Sequence, residues 1–226
     1  MSRRRSGLAR IDNHQGVVIG SDEVGFGAWA GPLVVCAVAG PVGWDDPRVK
    51  DSKLLKPSVR EALFKVYSEN KAFQVSTVVV SSESIDQQGV GHALRAAHIQ
   101  ALEAAACNLE HTLGVVDGAL PVHTWGLGIE VTALPKADQL IPECALASII
   151  AKVTRDRLMA DLDLQFPGYD LRSSSGYGTA RHKEALNRLG PSPIHRKSYS
   201  PVANARDLPE KPLQDLFRLW EELDPD

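Results

Sequence analysis

The segment from Val17 to Pro32 most narrows what this chain can become. It opens as Val17-Val18-Ile19, a short β-branched run of the kind that forms a buried strand. It then delivers two adjacent acids, Asp22 and Glu23, into a turn containing Gly25, Gly27 and Gly31, and a second apolar run follows at 33–39. Burying carboxylates costs several kcal/mol each unless they are paired. The turn supplies no Lys or Arg for that purpose. A divalent cation is the natural partner, because hard oxygen ligands suit Mg²⁺ or Mn²⁺. The glycines permit close approach of a ligand to the main chain and can turn successive N–H groups towards an anion. Acids for a metal beside bare backbone for a phosphate suggest phosphodiester chemistry. The residues alone leave a second reading open, an acidic turn at the surface.

Length and charge limit the remaining choices. The 226 residues suffice for one sizeable core, at most a domain with an appendage. With 25 Lys+Arg against 28 Asp+Glu, the net charge of −3 sets up no overall basic field, so phosphate binding has to come from local clusters. Cys36, Cys107 and Cys144 lie far apart among apolar neighbours. They read as small core residues of a reducing compartment, not as disulfides or a zinc site. The start, Met1 to Gly7, is basic without an apolar stretch behind it, which reads as a disordered arm over 1–15 and not as a secretory signal. No run reaches transmembrane length. A cytoplasmic monomer is expected.

Periodicity predicts an α/β chain. Strands are expected at 33–39, 73–80, 113–117 and 129–133, besides the one leading to Asp22. Helices are expected at about 57–69, 90–109, 142–166 and 180–189. Pro57 suits a first helical turn, and Gly190-Pro191 stops the helix before it. The run at 113–117 ends in Asp117-Gly118 and repeats the first strand in miniature. If those two strands are parallel neighbours, Asp22 and Asp117 project from the same carboxyl edge, where α/β sheets bind ligands. Lys152, Arg155 and Arg157 predict a cationic helix face, with Arg155 and Asp156 as a surface ion pair of little worth. His182 reads as an ordinary helix histidine. The segment 192–198 reads as a small basic loop. Residues 212–226 read as an amphipathic helix whose face, Leu213 to Trp220, either packs on its own domain or docks a replication factor.

These segments together carry a resemblance. Gly20-Ser-Asp-Glu-Val-Gly-x-Gly-x-x-Ala-Gly-Pro, Asp51-Ser-Lys, Val116-Asp-Gly, Lys136-Ala-Asp, Ala147-Ser-Ile-Ile-Ala-Lys-Val-Thr-Arg-Asp, Gly176-Tyr-Gly-Thr and Gly190-Pro-Ser-Pro-Ile-His-Arg occur in the order found in ribonuclease HII, across residues 18–198. The resemblance implies a ribonuclease H-like mixed sheet flanked by helices, a catalytic domain at 16–200 and a small C-terminal helical extension at 201–226. It implies four catalytic, metal-ligating carboxylates, Asp22, Glu23, Asp117 and Asp138. Asp138 by itself reads only as an acid placed near a helix N-terminus. Two Mg²⁺ or Mn²⁺ ions held by these acids would cleave the RNA strand of RNA/DNA hybrids, and nick duplex DNA 5′ to embedded ribonucleotides, leaving a 5′-phosphate and a 3′-hydroxyl. Roles in ribonucleotide removal and DNA replication follow from that activity.

The same resemblance names the substrate contacts. Gly25, Phe26 and Gly27 occupy the turn that reads the 2′-hydroxyl, Tyr177 matches the tyrosine beside it, and Lys53, Ser192 and Arg196 match further positions. Lys152, Arg181 and His195 are added as basic groups near the phosphate track, the first two also reading as solvated surface charges. The turn departs from the family: Phe26 stands where an arginine is usual. The lost charge-assisted contact is worth about 1.5–3 kcal/mol, which puts cleavage at a single ribonucleotide at issue and keeps a hybrid-only nuclease as the alternative. The sister enzyme, ribonuclease HIII, also lacks that arginine. It is set aside here because only a short arm precedes the first strand, and because its usual fourth acid is glutamate. A non-catalytic nucleic-acid adaptor would gain nothing from retaining four acids.

Overall fold

The computed structural model describes residues 9, 11, 13–106 and 110–205. Its centre is a five-stranded sheet in the order β3-β2-β1-β4-β5. The strands are β1 (Val17–Val24), β2 (Leu33–Ala39), β3 (Gln74–Val80), β4 (Thr112–Asp117) and β5 (Glu130–Leu134). β1 runs antiparallel to β2 and β2 to β3, whereas β1–β4 and β4–β5 are parallel. β2 is buried along its whole length. That is why it reads as a continuous apolar run: it has a packed neighbour on both faces and no solvent side to make polar.

Helices cover the two faces. On one lies α3 (Val90–Ala106), which follows α1 (Pro57–Ser68) and α2 (Ser82–Gln88) in the chain. Its Ala93, Ala97, Ala101 and Ala105, with Leu94 and Leu102, are buried in one cluster with Ile19, Leu33, Val35, Ala37 and Val116. Small side chains at helical spacing bring this helix close to the sheet. On the other face lies α4 (Pro142–Gln165), whose Leu146, Ile149 and Ile150 meet Val34, Cys36 and Val38. The tip of α4 comes so near β1 that a Cβ added at Gly20 would stand 2.1 Å from the Cys144 nitrogen. Only glycine fits there. Three further helices follow, α5 (Leu171–Ser174), α6 (Ala180–Leu189) and α7 (Ser200–Asn204): Leu171 and Ala185 pack with Met159 of α4, and Val202 packs with Leu186 of α6.

The α/β expectation therefore stands, with element ends within a few residues. The helices not expected are α2 and the short α5 and α7, of which α2 is the longest. Its sequence, Ser82 to Gln88, carries one buried apolar residue, Ile85, and so has no periodicity to detect. It is held by its ends, where the Ser81 hydroxyl accepts from the Ser84 N–H and Gly89 closes the helix at φ +82°. Cys36 and Cys144 are buried free thiols, as expected of core residues. Cys107, the 212–226 helix and residues 1–8, 10 and 12 of the arm expected over 1–15 lie outside the described residues. Within the described part of that arm, Ile11 packs against the cluster of Leu113 and Val115, and His14 Nε2 lies 3.1 Å from His111 O. Among the described residues no helix is long and apolar enough to cross a membrane.

Candidate active site

Side chains alternate across a strand, so neighbouring acids on β1 cannot share a face. Ile19 packs on the α3 side and Val18 on the α4 side. By the same alternation Asp22 points towards α4 and Glu23 towards α3. On β4 the parallel register pairs Ser21 with Val116, whose side chain joins the α3-side cluster. Asp117 is one residue further and faces α4. It meets Asp22 there, at the carboxyl ends of two parallel neighbours.

The third acid arrives from beyond β5. Lys136 adopts a left-handed conformation (φ 63°, ψ 40°), which turns the chain into a single 3₁₀ turn, Ala137–Gln139. The Ala137 N–H donates to Asp117 Oδ1 at 2.7 Å, locking this turn to the end of β4. Asp138 thereby joins Asp22 and Asp117, with one carboxylate oxygen of each within 4.8 Å of the others. Asp22 and Asp138 are almost fully buried. Glu23 stands outside this trio, with Oε2 3.5 Å from His98 Nε2.

The electrostatics follow from burial. Asp22 is pushed up to about 8, first by desolvation and then by the charge of Glu23, while the Ser148 hydroxyl pulls the other way. Asp117 is raised by burial in spite of its bond from Ala137. Asp138 is raised by burial and by Asp117. Lys53 opposes both of these shifts through its charge. It is carried there by a 3₁₀ turn, Ser52–Leu54, whose capping Asp51 accepts from the Lys53 N–H and from Gln139. The Ser52 hydroxyl touches that of Ser148 at 3.0 Å. Sequence reading found Lys53 but missed Asp51, Ser52 and Ser148. All three lie inside the motifs quoted above, but their partners become visible only when α4 and the Ala137–Gln139 turn are brought alongside. Three converging acids whose charge burial opposes form an oxygen-only donor set, and this fits a hard divalent cation.

The glycine-rich turn is braced by two arginines from distant sequence. Gly25 sits at φ +97°, and a Cβ there would collide with Arg155 Nε at 2.2 Å. Arg155 is fully buried and donates to the carbonyls of Pro32 (2.8 Å), Ser175 (2.8 Å) and Ala30 (3.3 Å). The expected surface pair with Asp156 is therefore corrected, since Asp156 pairs with Lys152 and Arg60 instead. Arg157 pairs with Glu61, so the expected cationic face of α4 is broken up into separate contacts.

Arg196 also departs from expectation. It is fully buried, with Nε and Nη2 donating to Gly31 O and Nη1 to Phe26 O at 2.8 Å. The Tyr199 hydroxyl donates to the same Phe26 carbonyl at 2.6 Å. Arg196 thus holds the turn and presents no guanidinium to solvent. Phe26 is 43% exposed.

Nor is 192–198 a solvated basic loop. His195, expected near the phosphate track, is fully buried, as is His182. The Ser192 N–H donates to His195 Nδ1 at 3.1 Å, which makes that atom an acceptor. His195 Nε2 must then carry the hydrogen shared with His182 Nε2 at 3.1 Å, and His182 Nδ1–H donates to Tyr177 O at 2.9 Å. Both rings are neutral in this chain of bonds, and burial lowers the pKa of each, His195 to about 4. Ser192, expected as a substrate donor, is buried with its hydroxyl 2.8 Å from His195 Nδ1. Tyr177, fixed through its carbonyl, is 38% exposed as a residue, with the Arg155 guanidinium 5.5 Å from the ring centre. Arg181 is exposed.

Known proteins show the same arrangement of chain. The ribonuclease HII family model matches residues 19–202. Ribonuclease HII of Thermus thermophilus is 43% identical over 189 residues, covering 84% of this chain and 89% of that protein. Among solved structures, a chain of the PCNA:RNase HII complex from Archaeoglobus fulgidus superposes with a TM-score of 0.68 at 29% identity, over 88% of this chain and 99% of its own. Ribonuclease H2 from Pyrococcus horikoshii OT3 gives 0.67 at 28% identity, over 84% and 97%.

Proposed function

This chain belongs to the ribonuclease HII family and is a metal-dependent endoribonuclease, and we propose that it cuts RNA in duplexes with DNA using two ions held by Asp22, Glu23, Asp117 and Asp138. The observation that carries the proposal is the convergence of Asp22 and Asp117 from parallel strands with Asp138 from the turn beyond β5, their ligand oxygens within 4.8 Å. Mg²⁺ or Mn²⁺ is the proposed cofactor, as the oxygen-only donor set favours. When bound, such ions supply an activated water and neutralise charge at the scissile phosphate. The residues do the rest. Asp117 accepts the Ala137 N–H on Oδ1, and Asp22 accepts the Glu23 N–H on its own Oδ1 at 2.8 Å, so each carboxylate is oriented by the main chain. Lys53, exposed beside Asp117 and Asp138, is placed to meet a phosphate.

Recognition of the RNA–DNA step is assigned to the turn Gly25-Phe26-Gly27 and to Tyr177. The Phe26 carbonyl already takes two donors, its full complement. Contact with a 2′-hydroxyl therefore falls to other main-chain groups of the turn. The exposed Tyr177 offers a platform for the neighbouring sugar. Products would carry a 5′-phosphate and a 3′-hydroxyl, and ribonucleotide removal from DNA is the proposed role. A replication factor is the proposed protein partner, supported by the likeness to the chain from the PCNA complex of Archaeoglobus. The domain limits proposed are 16–200 for catalysis and 201–226 for a helical extension.

A second reading has its own observation. Phe26, in place of an arginine, brings no charge to the turn, which favours an enzyme of continuous hybrids that ignores single ribonucleotides. Incubation with Mg²⁺ and then Mn²⁺ on two labelled duplexes decides between the readings. One duplex carries a lone ribonucleotide and the other a run. A cut immediately 5′ of the lone ribonucleotide supports the first reading, and cleavage of the run alone supports the second. No cleavage of either overturns both.

A further inference from the structure

His98 has no part in the mechanism above, yet it is a buried polar group aimed at the acid Glu23. It lies on α3, fully buried. Its ring stacks on Trp125, with centroids 5.7 Å apart and planes at 28°. Its Nδ1 is 2.8 Å from Ser21 Oγ. That hydroxyl also lies 3.0 Å from Cys36 O; with its one hydrogen given to His98 Nδ1, the ring's own hydrogen sits on Nε2 and faces Glu23. Stacking sets the plane of the imidazole and Ser21 sets its rotation. Nε2 is left as a buried atom with no hydrogen-bond partner, directed at Glu23 Oε2 across 3.5 Å. Buried polar atoms are rarely left unpaired. Glu23 is partly exposed and has room to turn onto it.

We infer that His98, oriented by Ser21, is a positioning residue that holds the Glu23 carboxylate at the metal site. The need for it follows from the strand. Alternation sends Glu23 to the α3 face, away from the other three acids, so its carboxylate has to be held at the edge of β1 to take part with them. A ring nitrogen fixed from two sides supplies that hold and restrains one Glu23 oxygen, leaving the other for an ion. This inference rests on the metal-site reading given above.

Two substitutions separate positioning from packing. His98→Gln places an amide near the Nε2 position and keeps a donor for Glu23. His98→Asn reaches only the Nδ1 position and keeps the Ser21 contact. Binding of Mn²⁺ to the full chain without nucleic acid is read by electron paramagnetic resonance, beside thermal melting. Partners of metal ligands commonly change affinity by about tenfold or more. The expected result is about tenfold weaker Mn²⁺ binding in His98→Asn, rescue in His98→Gln, and no matching order in melting temperature. Equal affinity in the two variants, whether both keep it or both lose it, overturns the inference while leaving the metal site standing. Absence of Mn²⁺ binding in the wild type, or binding unaffected by Asp22→Asn, overturns the metal-site reading and this inference with it.

Discussion

At the scale of single residues, the site depends on acids whose charge the fold does not itself neutralise. Replacing Asp22 or Asp117 with Asn is expected to abolish cleavage, while melting temperatures without metal hold or rise, because a charge that burial opposes has been removed. Turnover on a labelled hybrid and a thermal melt check this together. At the turn, Phe26→Arg is expected to raise the ratio of single-ribonucleotide to hybrid cleavage. The added guanidinium restores a contact worth about 1.5–3 kcal/mol, or roughly ten- to hundredfold in that ratio. An unchanged ratio would mean that the turn reads through its backbone. Arg196 is a different kind of residue. Arg196→Ala strips donors from the carbonyls of Gly31 and Phe26 in a buried setting, and should cost about 3 kcal/mol of stability by denaturant unfolding. Its cleavage defect should appear on every duplex alike.

At the scale of elements, the site is a junction of three ends: β1, β4 and the N-terminal half of α4. Gly20 permits that junction. Gly20→Ala drives a methyl into the backbone between Glu143 and Cys144, so α4 must shift or β1 must bend. A loss of about 1–3 kcal/mol or more is expected from overpacking. Calorimetry should show it together with reduced turnover, since Ser148 and Asp22 are displaced relative to each other. Strands and long helices were legible in the sequence because two-faced burial leaves either continuous apolar runs or a 3.6-residue stripe. α2 was not legible, being held by Ser81 and Gly89 and not by an apolar face.

At the scale of the whole molecule, buried titrating groups work against one another. His195, lowered to about 4, stays neutral in the folded chain while it would charge near 6.5 when unfolded. Its contribution is fully present above about 6.5 and is lost as pH falls towards 4. Asp22 and Glu143, raised to about 8 and about 7, act in the opposite sense as pH falls, so a single stability curve mixes the two. The stability difference between wild type and His195→Asn isolates the histidine. That difference is expected to narrow from pH 6.5 towards pH 4, as denaturant melts at each pH would show, and a constant gap would contradict the neutral His195–His182 chain. The same chain of bonds shows why part of the site was hidden. His182 looked like a helix histidine and 192–198 like a basic loop, because a sequence shows charge but not the carbonyls that absorb it. Arg155 and Arg196 were misplaced at the surface for the same reason: each spends most of its donors on main-chain carbonyls contributed by residues over a hundred positions away. By itself the sequence determined the α/β class, the strand-end position of Asp22 and Asp117 and the family, since these are carried by local runs and motif order. Only the tertiary structure decided that Glu23 faces away from the other acids and that the arginines brace the turn, because strand parity and helix docking determine which groups meet and which are left to solvent.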